Sequence, residues 1–109
     1  MENLFWRGII WRNLVYSLSL QFKRENLVEI LLEAAKSMVQ LEDCEIYLVN
    51  IVEKELNAVY VYEVWCNEQA HQNSLVLETT QTLINRAKAI ITGAEKMGTF
   101  ITKGGKGIS

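Results

Sequence analysis

Proline is absent from this chain of 109 residues, and cysteine and histidine are scarce, at two residues and one. Cys44 and Cys66 form neither a CxxC pair nor a disulfide framework, so we expect reduced thiols and a cytoplasmic location. Two cysteines and the single histidine, His71, do not supply the ligand set of a zinc site. The scarcity of these residues therefore argues against a zinc site.

Long apolar runs and strong net charge are also missing. No stretch approaches the roughly 18 to 20 apolar residues of a membrane span, and Arg7 and Arg12 interrupt the apolar N-terminal segment, which does not resemble a secretion signal. The net charge of −2 and the pI of 5.4 give no reason to expect nucleic acid or an anionic membrane as partner. The sequence also lacks a glycine-rich phosphate loop and a nucleophile elbow.

The composition that remains is typical of one small globular domain. We assign residues 1–12 to an N-terminal extension and residues 13–109 to the domain. Half of the residues are hydrophobic and 22% are charged, which is more apolar than a small monomer needs and suggests self-association.

The first half of the domain predicts a strand, a helix and a hairpin. Leu14–Phe22 alternates apolar and polar residues like a half-buried strand. Asn26 and Glu29 have the form of a capping box. The helix that follows has one apolar face, made of Leu27, Ile30, Leu31, Ala34 and Met38.

Residues 45–52 and 58–65 predict the two strands of the hairpin. Opposed residues then have numbers that sum to about 110, and they share a face of the sheet. The predicted pairs are Trp65 with Glu45, Glu63 with Tyr47, Val61 with Val49, and Cys44 with Cys66.

The second half predicts a broken helix and a short last strand. Asn67 is a candidate N-cap, and the helix restarts near Thr79 or Thr80. Gly93 is a plausible stop, and Thr99–Lys103 reads as the final strand. The restarted helix has an apolar side made of Leu83, Ile84, Ala87, Ile90 and Ile91.

The resulting order βαββαβ predicts an α+β, ferredoxin-like sandwich with two helical segments on one face of an antiparallel sheet. The other face carries Tyr60, Tyr62, Val64 and, by the same register, Asn50. The aromatic and aliphatic side chains among them are costly to leave in water. We therefore expect a homodimer in which a second copy covers this face.

A family resemblance adds to this interpretation and extends from about Leu14 to Gly107. The residues that carry it are LVEILLEAAK, Asp43-Cys44, Tyr62-Glu63-Val64-Trp65 followed by Glu68-Gln69-Ala70-His71, and Gly104-Gly105-Lys106-Gly107. In these segments the chain resembles the antibiotic biosynthesis monooxygenase domain family, whose members are dimeric α/β barrels of ferredoxin-like subunits. The resemblance implies a cofactor-free monooxygenase that oxidises a small quinol- or phenol-type aromatic with dioxygen.

The match is uneven at the positions that would carry the chemistry. Quinone-forming members have an asparagine four residues before the tryptophan and a tyrosine six residues after it, where this chain has Val61 and His71. The tryptophan itself is kept as Trp65. A related haem-degrading branch would need its histidine and second tryptophan at Ile84 and Ser74, so haem degradation is not expected.

The resemblance and the residues together give a candidate site. An imidazole titrates near neutral pH, so His71 is the candidate catalytic proton acceptor. The candidate substrate-binding residues are Trp65, Glu63, Val61 and Tyr47. Each of three residues also has an alternative interpretation without a role in the site. His71 would be an exposed helix residue with no function, Trp65 would belong to the core, and Glu63 would form a structural hydrogen bond.

Two functions therefore stand at this point. The first is the cofactor-independent monooxygenase. The second is a dimer of the same fold that binds a small molecule without turnover or serves as a stress or signalling accessory.

Overall fold

The computed structural model describes residues 12–21, 24–101, 103 and 106. Its elements in chain order are β1 (Arg12–Leu20), α1 (Arg24–Met38), β2 (Cys44–Asn50), β3 (Ala58–Trp65), α2 (Glu68–Leu75), α3 (Glu78–Lys88) and β4 (Ile91–Ile101). Within these ranges no helix is long and apolar enough to cross a membrane. Most of the predicted N-terminal extension, Phe22 and the terminal glycines Gly104, Gly105 and Gly107 lie outside the described residues.

The four strands form one sheet in the order β2-β3-β1-β4, and every neighbouring pair is antiparallel. Helix α1 packs against β2 and β3, and α3 packs against α1 and β4. This arrangement confirms the predicted α+β, ferredoxin-like fold. The helical layer and the sheet enclose the space in which the candidate site lies.

The core lies between α1 and the two central strands. Leu27 on α1 and Val59 and Val61 on β3 are fully buried, and Leu18 and Leu20 on β1 complete the cluster. The whole predicted apolar face of α1 is buried: Leu27, Ile30, Leu31, Ala34 and Met38. Helical periodicity alone was therefore sufficient to orient this helix.

The hairpin register is confirmed along most of its length, because Tyr47 opposes Glu63 and Val49 opposes Val61. An irregularity between Cys44 and Ile46 shifts the register by one residue at the end of the hairpin, so the predicted pairs of Trp65 with Glu45 and of Cys44 with Cys66 are wrong. Cys44 opposes Trp65 instead. Cys44 and Cys66 are not joined in a disulfide.

Several element boundaries differ from the sequence prediction. Strand β2 ends at Asn50 and not at residue 52, and α3 ends at Lys88, so the predicted helical residues Ile90 and Ile91 lie outside it. Helix α1 begins at Arg24, so Asn26 lies inside its first turn and is not the N-cap. Strand β4 begins at Ile91, eight residues before the predicted Thr99, so Gly93 lies in a strand and does not end a helix. The early residues of β4 pair with Leu18, Ser19 and Leu20 of β1.

The corner after β3 has the predicted cap. The side chain of Asn67 accepts a hydrogen bond from the backbone N–H of Ala70 at 2.8 Å. Because this bond satisfies one of the free donors of the first helical turn, α2 starts immediately after Trp65 and Cys66. His71 is thereby held close to the end of the strand.

We expect Leu27→Ala to lower the free energy of unfolding by about 2–5 kcal/mol, because the substitution leaves a cavity in the fully buried core. Leu32→Ala is the matched control on the same helix, since Leu32 is 52% exposed. Its effect should stay within about 0.5 kcal/mol. Urea unfolding of both variants measures the difference, and equal effects would contradict the assignment of the α1 core face.

Candidate functional site

An apolar cavity of about 340 Å³ lies between the sheet and the helices. The sheet contributes Leu14, Tyr16, Tyr47 and Glu63 to its lining, and the helices contribute aliphatic residues from α1 and α3. Polar side chains from the helices also reach the cavity, namely His71, Ser74, Thr80 and Lys88. An apolar chamber with a few polar groups is the usual form of a small-molecule site.

Glu63 is the central polar group of this cavity and is only 4% exposed. Its Oε1 accepts a hydrogen bond from the indole Nε1 of Trp65 at 2.8 Å, and its Oε2 accepts one from the hydroxyl of Tyr16. Both oxygens of this buried carboxyl group therefore have donors, which offsets the cost of removing it from water. Tyr47, also in the lining, is hydrogen-bonded to Tyr16.

His71 approaches the same carboxyl group from α2. Its Nε2 lies 3.7 Å from Oε1 of Glu63, and its ring centroid lies 5.4 Å from that of Trp65 at an interplanar angle of 57°. His71 is partly exposed, with 21% of its side-chain surface accessible. It therefore contacts both the cavity and solvent.

Trp65 and Val61 lie behind the cavity and do not line it. Trp65 is 2% exposed and packs with Met38 and Ala70, while Val61 is fully buried in the main core. Of the five predicted site residues, the structure brings Glu63, Tyr47 and His71 together at the cavity wall. Trp65 reaches the site through its hydrogen bond to Glu63.

Four polar residues of the cavity were missed by the sequence prediction: Tyr16, Ser74, Thr80 and Lys88. Tyr16 lies in the predicted strand Leu14–Phe22 but was not assigned to the site. Thr80 was considered only as a helix start. It is 7% exposed and lines the cavity from the first turn of α3.

Burial and the negative charge of Glu63 control the ionisation of the neighbouring groups. Burial raises the pKa of Tyr16 far above its ordinary value, and the charge of Glu63 and the proximity of Tyr47 raise it further. The pKa of Tyr47 is raised by the same two main causes, burial first. Burial, with a contribution from Glu63, raises the pKa of the Cys44 thiol to about 12, so this thiol remains protonated and unreactive at neutral pH.

The raised pKa values of Tyr16 and Tyr47 predict a loss of stability in alkali. The folded protein keeps two protons that the unfolded chain releases as the pH rises past about 10. The free energy of unfolding should then fall by up to about 1.4 kcal/mol per pH unit for each tyrosine. Urea unfolding at several pH values measures the slope, and Tyr47→Phe should make it shallower. A slope unchanged by this substitution would contradict the assignment.

Among the described residues, no group of three or more histidine, cysteine, aspartate or glutamate side chains could hold a metal ion.

In comparisons with known proteins, no family model and no curated protein matches the chain.

Solved structures do match over nearly the whole chain. The putative antibiotic biosynthesis monooxygenase from Chloroflexus aurantiacus J-10-fl is 27% identical, with a TM-score of 0.77, over 91% of this chain and 99% of its own. A second putative antibiotic biosynthesis monooxygenase, from Deinococcus radiodurans, is 21% identical, with a TM-score of 0.72, over 90% of this chain and 96% of its own.

SnoaB from Streptomyces nogalater, a cofactor-independent oxygenase, has a TM-score of 0.77 at 12% identity, over 90% of this chain and 98% of its own. At this identity the likeness shows the fold alone. Together with the Chloroflexus protein, these structures confirm the resemblance to the antibiotic biosynthesis monooxygenase domain family that the sequence shows.

Proposed function

We propose that the protein is a cofactor-independent monooxygenase that oxidises a small quinol- or phenol-type aromatic with dioxygen. The observation that carries this proposal is the apolar cavity with His71 and Glu63 at its wall, 3.7 Å apart. The likeness to the putative antibiotic biosynthesis monooxygenase from Chloroflexus aurantiacus J-10-fl, at 27% identity, supports it.

The size of the cavity supports an aromatic ligand. An engineered apolar cavity of about 150 Å³ is known to take up a benzene ring. The cavity here, at about 340 Å³, is roughly twice as large. A substrate of two fused rings would fill most of the cavity. The apolar residues that line the cavity would contact both faces of the rings.

In the proposed reaction, His71 accepts the phenolic proton of the substrate. The carboxylate of Glu63 stabilises the imidazolium that forms, and the donors from Trp65 and Tyr16 hold that carboxylate in place. The electron-rich phenolate then reduces dioxygen. One oxygen atom becomes the second carbonyl of a quinone, and the other leaves as water together with the phenolic hydrogen and the displaced ring hydrogen.

A second function, binding without turnover, is favoured by one observation. Both oxygens of Glu63 and the hydroxyls of Tyr16 and Tyr47 already have partners within the protein. Such an internally satisfied network also suits a carboxyl group that only stabilises the fold. A protein of this kind would bind an apolar molecule without chemistry, as a stress or signalling accessory would.

Oxygen uptake with a panel of quinols and anthrones separates the two functions. We expect uptake by the wild type and a decrease of about 10²–10⁴-fold in His71→Ala, because the proton acceptor is lost. Gln72→Ala, an exposed neighbour on α2, is the matched control and should keep the wild-type rate. Uptake that is unaltered in His71→Ala would remove His71 from the mechanism, and no uptake on any substrate would favour binding alone.

We also propose that the protein works as a homodimer in the cytoplasm, where the thiols of Cys44 and Cys66, which form no disulfide, would stay reduced. The outer face of the sheet carries exposed apolar side chains, with Leu48 at 49% and Phe100 at 55% exposure. Val64 on this face is already buried within the single chain, and Tyr60 and Tyr62 are half-buried. The remaining apolar surface is what a second copy would cover.

Phe100→Glu should shift the protein from dimer to monomer, because it places a charge in the proposed interface. Leu56→Glu is the matched control, since Leu56 is 66% exposed in the hairpin loop, away from the sheet face. Sedimentation velocity measures both variants. A monomeric wild type would contradict the dimer without affecting the monooxygenase proposal.

A further inference from the structure

A second, smaller pocket of about 90 Å³, the side pocket, adjoins the main cavity at His71. The side chains of Leu14 and His71 line both spaces, so together they form the partition between them. The rest of the lining of the side pocket comes from β3, α2 and β4 and includes Trp65, Glu68 and Thr99. His71 is therefore in contact with two separate spaces.

An irregularity in β4 shapes the outer wall of the side pocket. The register of β4 against β1 shifts between Val15 and Tyr16, so that Thr99 pairs with Leu14 and Lys96 pairs with Tyr16. Opposed residues of an antiparallel pair share a face, and Leu14 and Tyr16 both line the main cavity. Lys96 and Thr99 therefore face the helical layer although they are three positions apart, which a regular strand does not allow. Both residues line the side pocket.

The size and the polarity of the side pocket exclude an aromatic ring. An engineered cavity that takes up benzene has about 150 Å³, whereas the side pocket has about 90 Å³. Its lining also carries the carboxylate of Glu68 and the ammonium of Lys96, and an aromatic guest would strip water from both charges. Dioxygen and water meet neither obstacle, since a water molecule occupies about 30 Å³ in the liquid.

The proposed reaction needs a second approach to the substrate. A two-ring substrate would fill most of the main cavity, so dioxygen must reach the ring from a direction that the substrate leaves free. The partition of Leu14 and His71 separates the ring from the side pocket. The distance of 3.7 Å between His71 Nε2 and Glu63 Oε1 is longer than a hydrogen bond, so this contact does not lock the imidazole in place.

We propose that dioxygen enters and product water leaves through the side pocket, between Leu14 and His71, while the aromatic substrate occupies the main cavity. This inference rests on the proposed function, which makes dioxygen the co-substrate. No bond forms or breaks in the side pocket. Dioxygen passes through it unchanged and is reduced only at the ring, where the phenolate supplies the electrons. Thr99 and Lys96 set the width of the passage and take no part in the chemistry.

Substitutions of Thr99 test the passage through the kinetics of oxygen uptake. Thr99→Phe fills the side pocket with a larger side chain, which is also favourable in a strand. Thr99→Val keeps the shape of threonine and is the matched control. Uptake is measured at varied dioxygen and at varied quinol. We expect Thr99→Phe to lower kcat/KM for dioxygen several-fold and to leave the KM for the quinol unchanged, whereas Thr99→Val should keep both wild-type values.

Lys96→Phe is a second variant, which narrows the same passage from an exposed position where a substitution leaves the core intact. It should change the kinetics in the same direction as Thr99→Phe. Lys54→Phe is its matched control, because Lys54 is exposed in the turn between β2 and β3. This control should keep the wild-type kcat/KM for dioxygen.

A measurement without turnover uses the paramagnetism of dioxygen. The chain has a single histidine, so the imidazole protons of His71 give their own NMR signals, and their relaxation quickens when dissolved dioxygen approaches. We expect this enhancement to fall in Thr99→Phe and to stay at the wild-type level in Thr99→Val. The methyl protons of Leu56, which is 66% exposed, report dioxygen in the solvent and should respond equally in all three proteins.

The inference would be overturned by an unchanged kcat/KM for dioxygen in Thr99→Phe, by an unchanged enhancement at His71, or by a change confined to the KM for the quinol. Oxygen uptake that depends on His71 but not on Thr99 would reject the passage and keep the monooxygenase. An enhancement at His71 that depends on Thr99, without uptake on any substrate, would support the passage and reject the monooxygenase.

Discussion

The buried carboxyl group of Glu63 needs hydrogen-bond donors, and much of the site is arranged to supply them. On β3 the side chains of Glu63 and Trp65 point to the same face, which brings the indole N–H within 2.8 Å of the carboxyl oxygen. Tyr16 on the neighbouring strand supplies the second donor. Removal of either donor would leave an unpaired polar atom in an apolar interior, at a cost of about 1–3 kcal/mol or more.

The cavity depends on the break between α2 and α3. Residues 76 and 77 separate the two helices, and each helix contributes separately to the cavity wall. His71 comes from the first helix and Thr80 from the second. The break therefore allows polar groups from two helices to reach a cavity that also has polar residues of the sheet, such as Glu63, in its lining.

Much of this architecture could be predicted from the sequence because it depends on local periodicity. The buried face of α1, the bounds of β3 and the Asn67 cap follow from spacing and side-chain chemistry alone. Strand β4 could not be predicted in full, because its early residues are held by pairing with β1 and not by their own strand propensity. The irregularity beside Cys44 likewise has no signal in the alternation of residues.

The site was also predictable only in part, because some of its contacts depend on how the elements pair and pack and not on local periodicity. The strand register placed Tyr47 opposite Glu63, and the strand–helix corner placed His71 near Trp65. The contact of Tyr16 with Glu63 depends on which strand pairs with β3, and the empty space beside Thr80 depends on how α3 packs. Neither is recorded in the residue pattern of a single element.

The neighbouring side chains of Glu63 and His71 come from two different layers of the fold. Glu63 and its donors Trp65 and Tyr16 all belong to the sheet, whose geometry is fixed by its ladder of backbone hydrogen bonds. His71 belongs to a helix of only eight residues. An outward shift of that helix to admit a ligand would separate the imidazole from the carboxyl group, while the carboxyl group would keep the indole and phenol donors that the sheet supplies. A guest molecule would then alter the contact between the two groups without disturbing the sheet.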